Sequence, residues 1–325
     1  MSDTAREEED GMKPKIAVLM GGRSLERSVS LKSGKRVARA LESRGYEVIS
    51  LDVDETLVPR ILSDKPDLVY IALHGKYGED GTIQELLDII DVPYTGPGPM
   101  PSMIGFNKVL SKELFRAHGI PTPRYYTLSS STLEEMGASE LLGYAWEKLG
   151  APLVVKPAAQ GSALGVRIVE KWEDLSGALV AALGYDDRVI LEEYIKGREV
   201  AVSVIGTETP ETLPVVEVVP GSGFFDFESR YTPGKTDYFI PARLDPGVTA
   251  EVERIALATH ELLRCKDLSR VDIIVGDDNV PYVLELNISP GMTETSLLPL
   301  AAEAAGMPFE DLVEKLVAFA LQKPQ

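Results

Sequence analysis

The segments SRVDIIV (269–275) and YVLELNISPG (282–291) decide more about this chain than any others. Both are short, and they read as the two strands of a hairpin. In a strand, residues two apart share a face, so Glu285 and Asn287 project together and Asp272 lies on the neighbouring strand. Two carboxylates and an amide oxygen form a hard-oxygen cluster suited to Mg²⁺. Carboxylates at such range need a cation to stay ionised together. Arg270, two residues before Asp272 on the same face, is placed to neutralise a transferring phosphoryl group or a developing oxyanion. A plainer reading makes the same residues the solvent-facing side of an edge hairpin, with Arg270 in an ion pair with Asp272 or Glu285. The residues alone leave both open.

Upstream, strands alternate with helices. KIAVLM (15–20) is an apolar run stopped by Gly21-Gly22, and a helix over Ser28–Arg44 follows and ends at Gly45. YEVISLDV and PDLVYIALHG read as the next strands. This order predicts βαβ units on a parallel sheet, with ligand loops at the strands' C-terminal ends. The Pro- and Gly-rich YTGPGPMPS places a boundary near residue 98. One helix is expected from Ser102, as its N-cap, to about His118. A helix around 139–149, the strand PLVVKP, the loop QGSALG and the strand VRIVE follow, and VILEEYI (189–195) leads out of this block. The expected division is a flexible acidic tail (1–14), an N-terminal α/β domain (15–98), a central subdomain (99–190) and a C-terminal subdomain (191–325). The last alternates strands with two helices, about 246–264 and 308–321. Residues 220–243 are too broken by Gly and Pro for a helix or long strand, and read as a functional lid loop in preference to a disordered insertion.

Composition narrows the function. The 325 residues carry 33 Lys plus Arg against 51 Asp plus Glu, a net charge of −18. This argues against nucleic acid as the main partner, because phosphate backbones need a basic face. Any phosphate-bearing ligand must be held by local cations, metal ions or backbone N–H groups. One cysteine, Cys265, excludes an internal disulfide, and three histidines leave little for a zinc site. Apolar runs such as Leu68–Leu73 fall far short of a membrane span, and the polar start has no signal-peptide pattern. A soluble, cytoplasmic protein is expected.

Common phosphate-binding motifs are absent: there is no GxxxxGK[ST], and Gly21-Gly22 does not extend to GxGxxG. Lys156, at a strand end beside the small-residue loop 158–165, can hold phosphate by charge while loop N–H groups wrap the oxyanions. An exposed strand-end lysine is the bland alternative. HGKYGEDG (74–81) offers a helix N-terminus to a carboxylate, or is simply a tight turn with Asp80 as a cap.

In order and spacing, GGRSLERSVS, LHGKYGEDG, YTGPGPMPS with NKVLSK, VVKPAAQGSALGV, FFDFESRY, RVD and LELNISPGMTETSLLP closely resemble the D-alanine–D-alanine ligase family of the ATP-grasp superfamily. The resemblance runs from Lys15 to about Leu321. It implies a three-domain α/β ATP-grasp fold with an N-terminal Rossmann-like domain, and ATP clasped between the sheets of the second and third domains. It also implies two D-alanine substrates, joined through an acylphosphate for peptidoglycan precursor synthesis, and a homodimer. Carried over by motif, Lys108, Lys156 and Arg230 would contact ATP phosphates. Glu192, Glu193 and Ile195 would line the adenine pocket, and Glu199 would hold the ribose. Asp272, Glu285 and Asn287 would bind two Mg²⁺ (or Mn²⁺). Glu26, assisted by His74, would fix the first D-alanine's ammonium, and Arg270 with the Gly291 N–H would form the oxyanion site. Ser296 and Leu297 would hold the second D-alanine's carboxylate. Tyr231, bonded to Ser162 and through it to Glu26, would brace the lid and help deprotonate the incoming amine. Departures from the family pattern fall at Ser28, Asn107, Ala163-Leu164, Arg230 and Thr295. Within the resemblance, a ligase with D-serine, D-lactate or an L-amino acid as second substrate is the nearest alternative. A non-catalytic ATP-binding module is another, disfavoured by the intact Arg270, Asp272, Glu285 and Asn287 set.

Overall fold

The computed structural model describes residues 13–135, 138–221 and 223–322; most of the expected acidic tail lies outside them. Three sheets organise the chain. The first is parallel, with strand Lys15–Met20 between Glu47–Asp52 and Leu68–Ile71. Its central strand is apolar and buried from Ile16 to Met20 because both faces are covered. Ile16, Val18 and Met20 join a core with helix Arg27–Ser43, whereas Ala17 and Leu19 join one with helices Leu57–Asp64 and Thr82–Ile89. The first of these cores is completed from the far end of the chain: Leu312, Val313, Leu316 and Val317 of helix Phe309–Leu321 pack into it.

The second sheet is antiparallel, in the order Tyr125–Ser129, Arg188–Glu193, Leu153–Pro157, Arg167–Val169. Helices Ala138–Leu149 and Trp172–Leu183 cover one face, through Leu142, Leu149, Leu175 and Leu179. Strand Arg188–Glu193 crosses the boundary expected at residue 190 and belongs whole to this sheet. The third sheet runs Thr236–Phe239, Val216–Pro220, Gly197–Ile205, Leu268–Gly276, Pro281–Asn287, with Glu211–Thr212 beside Gly197–Ile205. Helix Pro246–Leu262 buries Val252, Ile255 and Ala256 against it.

Several expectations need correction. The single helix from Ser102 to His118 is two, Pro99–Phe106 and Lys108–Ala117. The break falls at Asn107, whose extended backbone (φ −91°, ψ 101°) and side-chain oxygen cap the second helix, accepting from Val109 N at 3.1 Å and Leu110 N at 3.2 Å. Ser102 is no cap but sits inside the first helix, its hydroxyl donating to the Gly98 carbonyl at 2.8 Å. Phe115 of the second helix packs into the core of the third sheet, not that of the second. Residues 220–243 hold a short helix, Phe227–Tyr231, capped by Asp226, and the edge strand Thr236–Phe239. Helix Leu297–Ala304 was not anticipated, because its sequence is apolar almost throughout and it is buried on most sides. Among the described residues, no helix is long and apolar enough to cross a membrane.

Candidate active site

A cavity of about 450 Å³ opens between the second and third sheets. Lys108, Lys156, Glu192, Glu193, Ile195, Glu199, Arg230, Asp272 and Glu285 all line it. Lys156 and Glu192 reach it from adjacent strands of the second sheet, and their side chains meet at 2.7 Å. Burial alone would raise the Glu192 carboxyl, but Lys112 and Lys156 override it and hold the group below its usual range. Glu193 instead turns to Arg124, which grips it with two hydrogen bonds of 2.7 and 3.0 Å. Lys108 ties three parts together. Its N–H donates to the Ala158 carbonyl, and its ammonium donates to the Gln160 carbonyl at 2.7 Å and pairs with Glu285 at 3.0 Å. Glu199 faces the same space, and burial pushes its carboxyl up to about 7, with Asp272 and Glu285 adding repulsion against Arg230 and Arg270.

The hairpin read from the sequence forms as expected. Asp272 stands directly opposite Glu285, and Arg270 opposite Asn287. A bulge after Asp272 leaves Leu284 without a ladder partner, and Leu284 and Glu285 both line the cavity. The Asn287 amide donates to Asp272 at 3.0 Å. Burial opposes the charge on Glu285, but Lys108, Arg230 and Lys156 hold its carboxyl down to about 2. Among the described residues, no group of three His, Cys, Asp or Glu side chains could hold a metal unaided. Two carboxylates and an amide oxygen are nevertheless the donor set of a Mg²⁺ site that is completed by substrate phosphates and water, so these residues fit that ion.

A second, smaller chamber of about 50 Å³ lies next to the first, and Arg230 lines both. Glu26, His74, Ser162, Tyr231, Arg270, Asn287, Gly291, Ser296 and Leu297 converge on it. Glu26 ends the loop before helix Arg27–Ser43 and is buried between two glycines. A Cβ on Gly161 would lie 2.6 Å from Glu26 Oε2, and one on Gly75 (φ 72°) closer still. The Ser162 hydroxyl donates to Glu26 Oε1 and meets the Tyr231 hydroxyl at 2.9 Å. Oε2 of Glu26 is buried with no hydrogen-bond partner among the described residues, an acceptor that a bound donor could satisfy. Burial first, then Glu79, pushes the Glu26 carboxyl up to about 7. His74 is held by Ser33 at 3.0 Å and lies 3.8 Å from Glu79. At the other end, Ser296 stands at the N-cap position of helix Leu297–Ala304 without a side-chain cap bond, and its hydroxyl instead accepts from the Thr293 N–H at 3.0 Å.

The residues given a substrate, nucleotide, metal or oxyanion role by the resemblance therefore all line one chamber or the other. Others were missed. Lys112, four residues after Lys108 and so on the same helix face, pairs with Glu192 at 2.6 Å; that spacing was the available signal. Glu79 lies in the turn where only Asp80 was weighed. Thr295, one of the departures, donates to the Arg230 carbonyl at 3.2 Å and so helps tether helix Phe227–Tyr231.

With this geometry in view, comparison with known proteins is decisive. Family models described as D-ala D-ala ligase N-terminus and C-terminus match residues 57–97 and 114–318. The chain belongs to the D-alanine–D-alanine ligase family. It is 42% identical to the D-alanine–D-alanine ligase of Pelotomaculum thermopropionicum over 95% of this chain and 97% of that one. Among solved structures, the Bacillus anthracis D-alanine–D-alanine ligase complexed with ATP superposes with a TM-score of 0.81 at 34% identity, covering 95% and 98% of the two chains. The VanG D-Ala:D-Ser ligase of Enterococcus faecalis matches with a TM-score of 0.80 at 27% identity, over 95% and 100%. The ATP-grasp fold expected of the ligase family is the fold observed.

Proposed function

We propose that this chain joins two D-alanines into D-alanyl-D-alanine, with ATP as phosphoryl donor, supplying a peptidoglycan precursor in the cytoplasm. The observation that carries this reading is the pairing of chambers. A large cavity rich in lysine and carboxylate opens beside a small one holding a buried carboxylate oxygen that has no partner among the described residues, and Arg230 lines both. A small zwitterion suits the second chamber: its ammonium satisfies Glu26 Oε2, and its carboxylate points toward Arg270 and the nucleotide side.

In the first step, the D-alanine carboxylate oxygen attacks the γ-phosphorus and the bond to the ADP oxygen breaks. Lys108, Lys156 and Arg230 offset the phosphate charge, while Glu192, Glu193, Ile195 and Glu199 wall the base and ribose. In the second step, the amine of the other D-alanine attacks the acyl carbon, phosphate leaves with the C–O electron pair, and the amine loses a proton. Arg270 and the Gly291 N–H stabilise the oxyanion that develops. The amide end of helix Leu297–Ala304, with Ser296, holds the second carboxylate. Asp272, Glu285 and Asn287 would hold Mg²⁺ or Mn²⁺, which supplies charge neutralisation across the phosphates when bound. Tyr231 is pushed up to about 12 by burial, so its phenol stays neutral at ordinary pH and braces the Ser162–Glu26 chain as a hydroxyl. We extend the reading to a homodimer on the strength of the resemblance, which sedimentation would check.

The test is amino-acid-dependent phosphate release. D-alanine should stimulate it and yield D-alanyl-D-alanine, and L-alanine should not. Release that stays at the ATP-only background with D-alanine overturns the proposal.

A further inference from the structure

Lys112 is fully buried, yet it lines neither chamber. Its ammonium lies 2.6 Å from Glu192 Oε2, while Lys156 takes Oε1 at 2.7 Å. It also donates to Thr122 Oγ1, which in turn donates to the Val283 carbonyl at 2.8 Å. The Tyr125 ring lies 5.1 Å from Nζ. Lys112 is thus locked on all sides, and of the two lysines sharing Glu192 only Lys156 reaches the cavity.

We propose that Lys112 is a positioning residue for phosphate capture: it keeps Glu192 paired, and so frees Lys156 to leave that carboxylate for an oxyanion in the cavity. The inference rests on the reading that Lys156 contacts ATP phosphate. A buried carboxylate that loses its last cation is costly. Were Lys156 the sole partner of Glu192, moving its ammonium to a phosphate would strand that anion, and the ligand would bear the cost. With two lysines on one carboxylate, the trio keeps a surplus positive charge in the cavity wall of a chain whose net charge is −18.

The experiment is a double-mutant cycle read as ATP affinity by calorimetry, with Mg²⁺ and without amino acid. Lys112→Met should weaken ATP binding about tenfold or more while leaving KM for D-alanine within about twofold, whereas a merely structural role would move both. In the Glu192→Gln background no buried anion needs a partner, so adding Lys112→Met should change ATP affinity little; a further loss as large as in the wild-type background overturns the proposal. Should Lys112→Met alone fold poorly, a further loss of about tenfold in the Glu192→Gln background by itself overturns the proposal. Lys156→Met separates the two levels of the argument. If it weakens ATP binding while Lys112→Met does not, the positioning role falls and the phosphate reading survives. If Lys156→Met leaves ATP affinity unchanged, both fall.

Discussion

Arg270 grips Asp272 from two residues away on one strand, Nε to Oδ1 at 2.7 Å and Nη2 to Oδ2 at 2.8 Å. The fork orients both groups at the junction of the two chambers, and it needs a planar guanidinium. Burial opposes the charge on Arg270, but Asp272 and then Glu285 raise its pKa, so it stays ionised. Arg270→Lys keeps a charge and loses the fork. We expect D-alanine-dependent phosphate release to fall on the order of 100-fold in kcat, with ATP affinity changed far less; steady-state kinetics and calorimetry would check both.

Glu26 provides a pH test. Its carboxyl is raised to about 7 in the folded chain, against an ordinary value of 4.5. The folded state therefore binds this proton more tightly than the unfolded state does. The stability it contributes is full below about pH 4.5 and is lost as pH rises through about 7. Glu26→Gln should thus be more stable than the parent at pH 8, on the order of 2–3 kcal/mol, and the gap should close near pH 4.5. Denaturant titration at the two pH values measures it.

The same carboxyl must be ionised to hold an ammonium. KM for D-alanine should rise as pH falls below about 7. In Glu26→Gln that pH dependence should flatten at a uniformly weak KM.

Gly161→Ala places a methyl 2.6 Å from Glu26 Oε2, where ordinary carbon contacts need well over 3 Å. It should raise KM for D-alanine about tenfold or more while Tm moves only a few degrees, because the loop can shift but the small chamber cannot keep its shape.

Tyr231→Phe removes the hydroxyl 2.9 Å from Ser162. Since the phenol is pushed up to about 12, its loss should lower kcat by up to about tenfold, the value of one neutral hydrogen bond. The alkaline limb of the pH–rate profile below pH 10 should not move; a shift there would point to a phenolate base.

Much of the active-site chemistry was legible because it lies in strands, where a period of two assigns faces without tertiary information. Arg270, Asp272, Glu285 and Asn287 were placed together by that period and by one hairpin, and the pairing is as read. The break at Asn107 was not legible, since an asparagine inside an apolar-periodic run looks like any solvated helix position. Its capping role appears only when its oxygen is seen on the next turn's amides. Helix Leu297–Ala304 was hidden for the opposite reason: a segment buried on most sides has no polar stripe to mark its period.

What the sequence determined alone was local: the parallel βαβ start, the metal-suited hairpin, the lysine beside its glycine loop, and the order of motifs that marks the family. Tertiary structure decided which charges share a partner. It set Glu26, near the start of the chain, under Ser162 and Tyr231, put Lys112 on the far oxygen of Glu192, and closed the first core with helix Phe309–Leu321. Periodicity fixes the direction of a side chain relative to its own backbone. Which distant group meets it there depends on how the three sheets pack, and that is set by the summed burial of the whole chain.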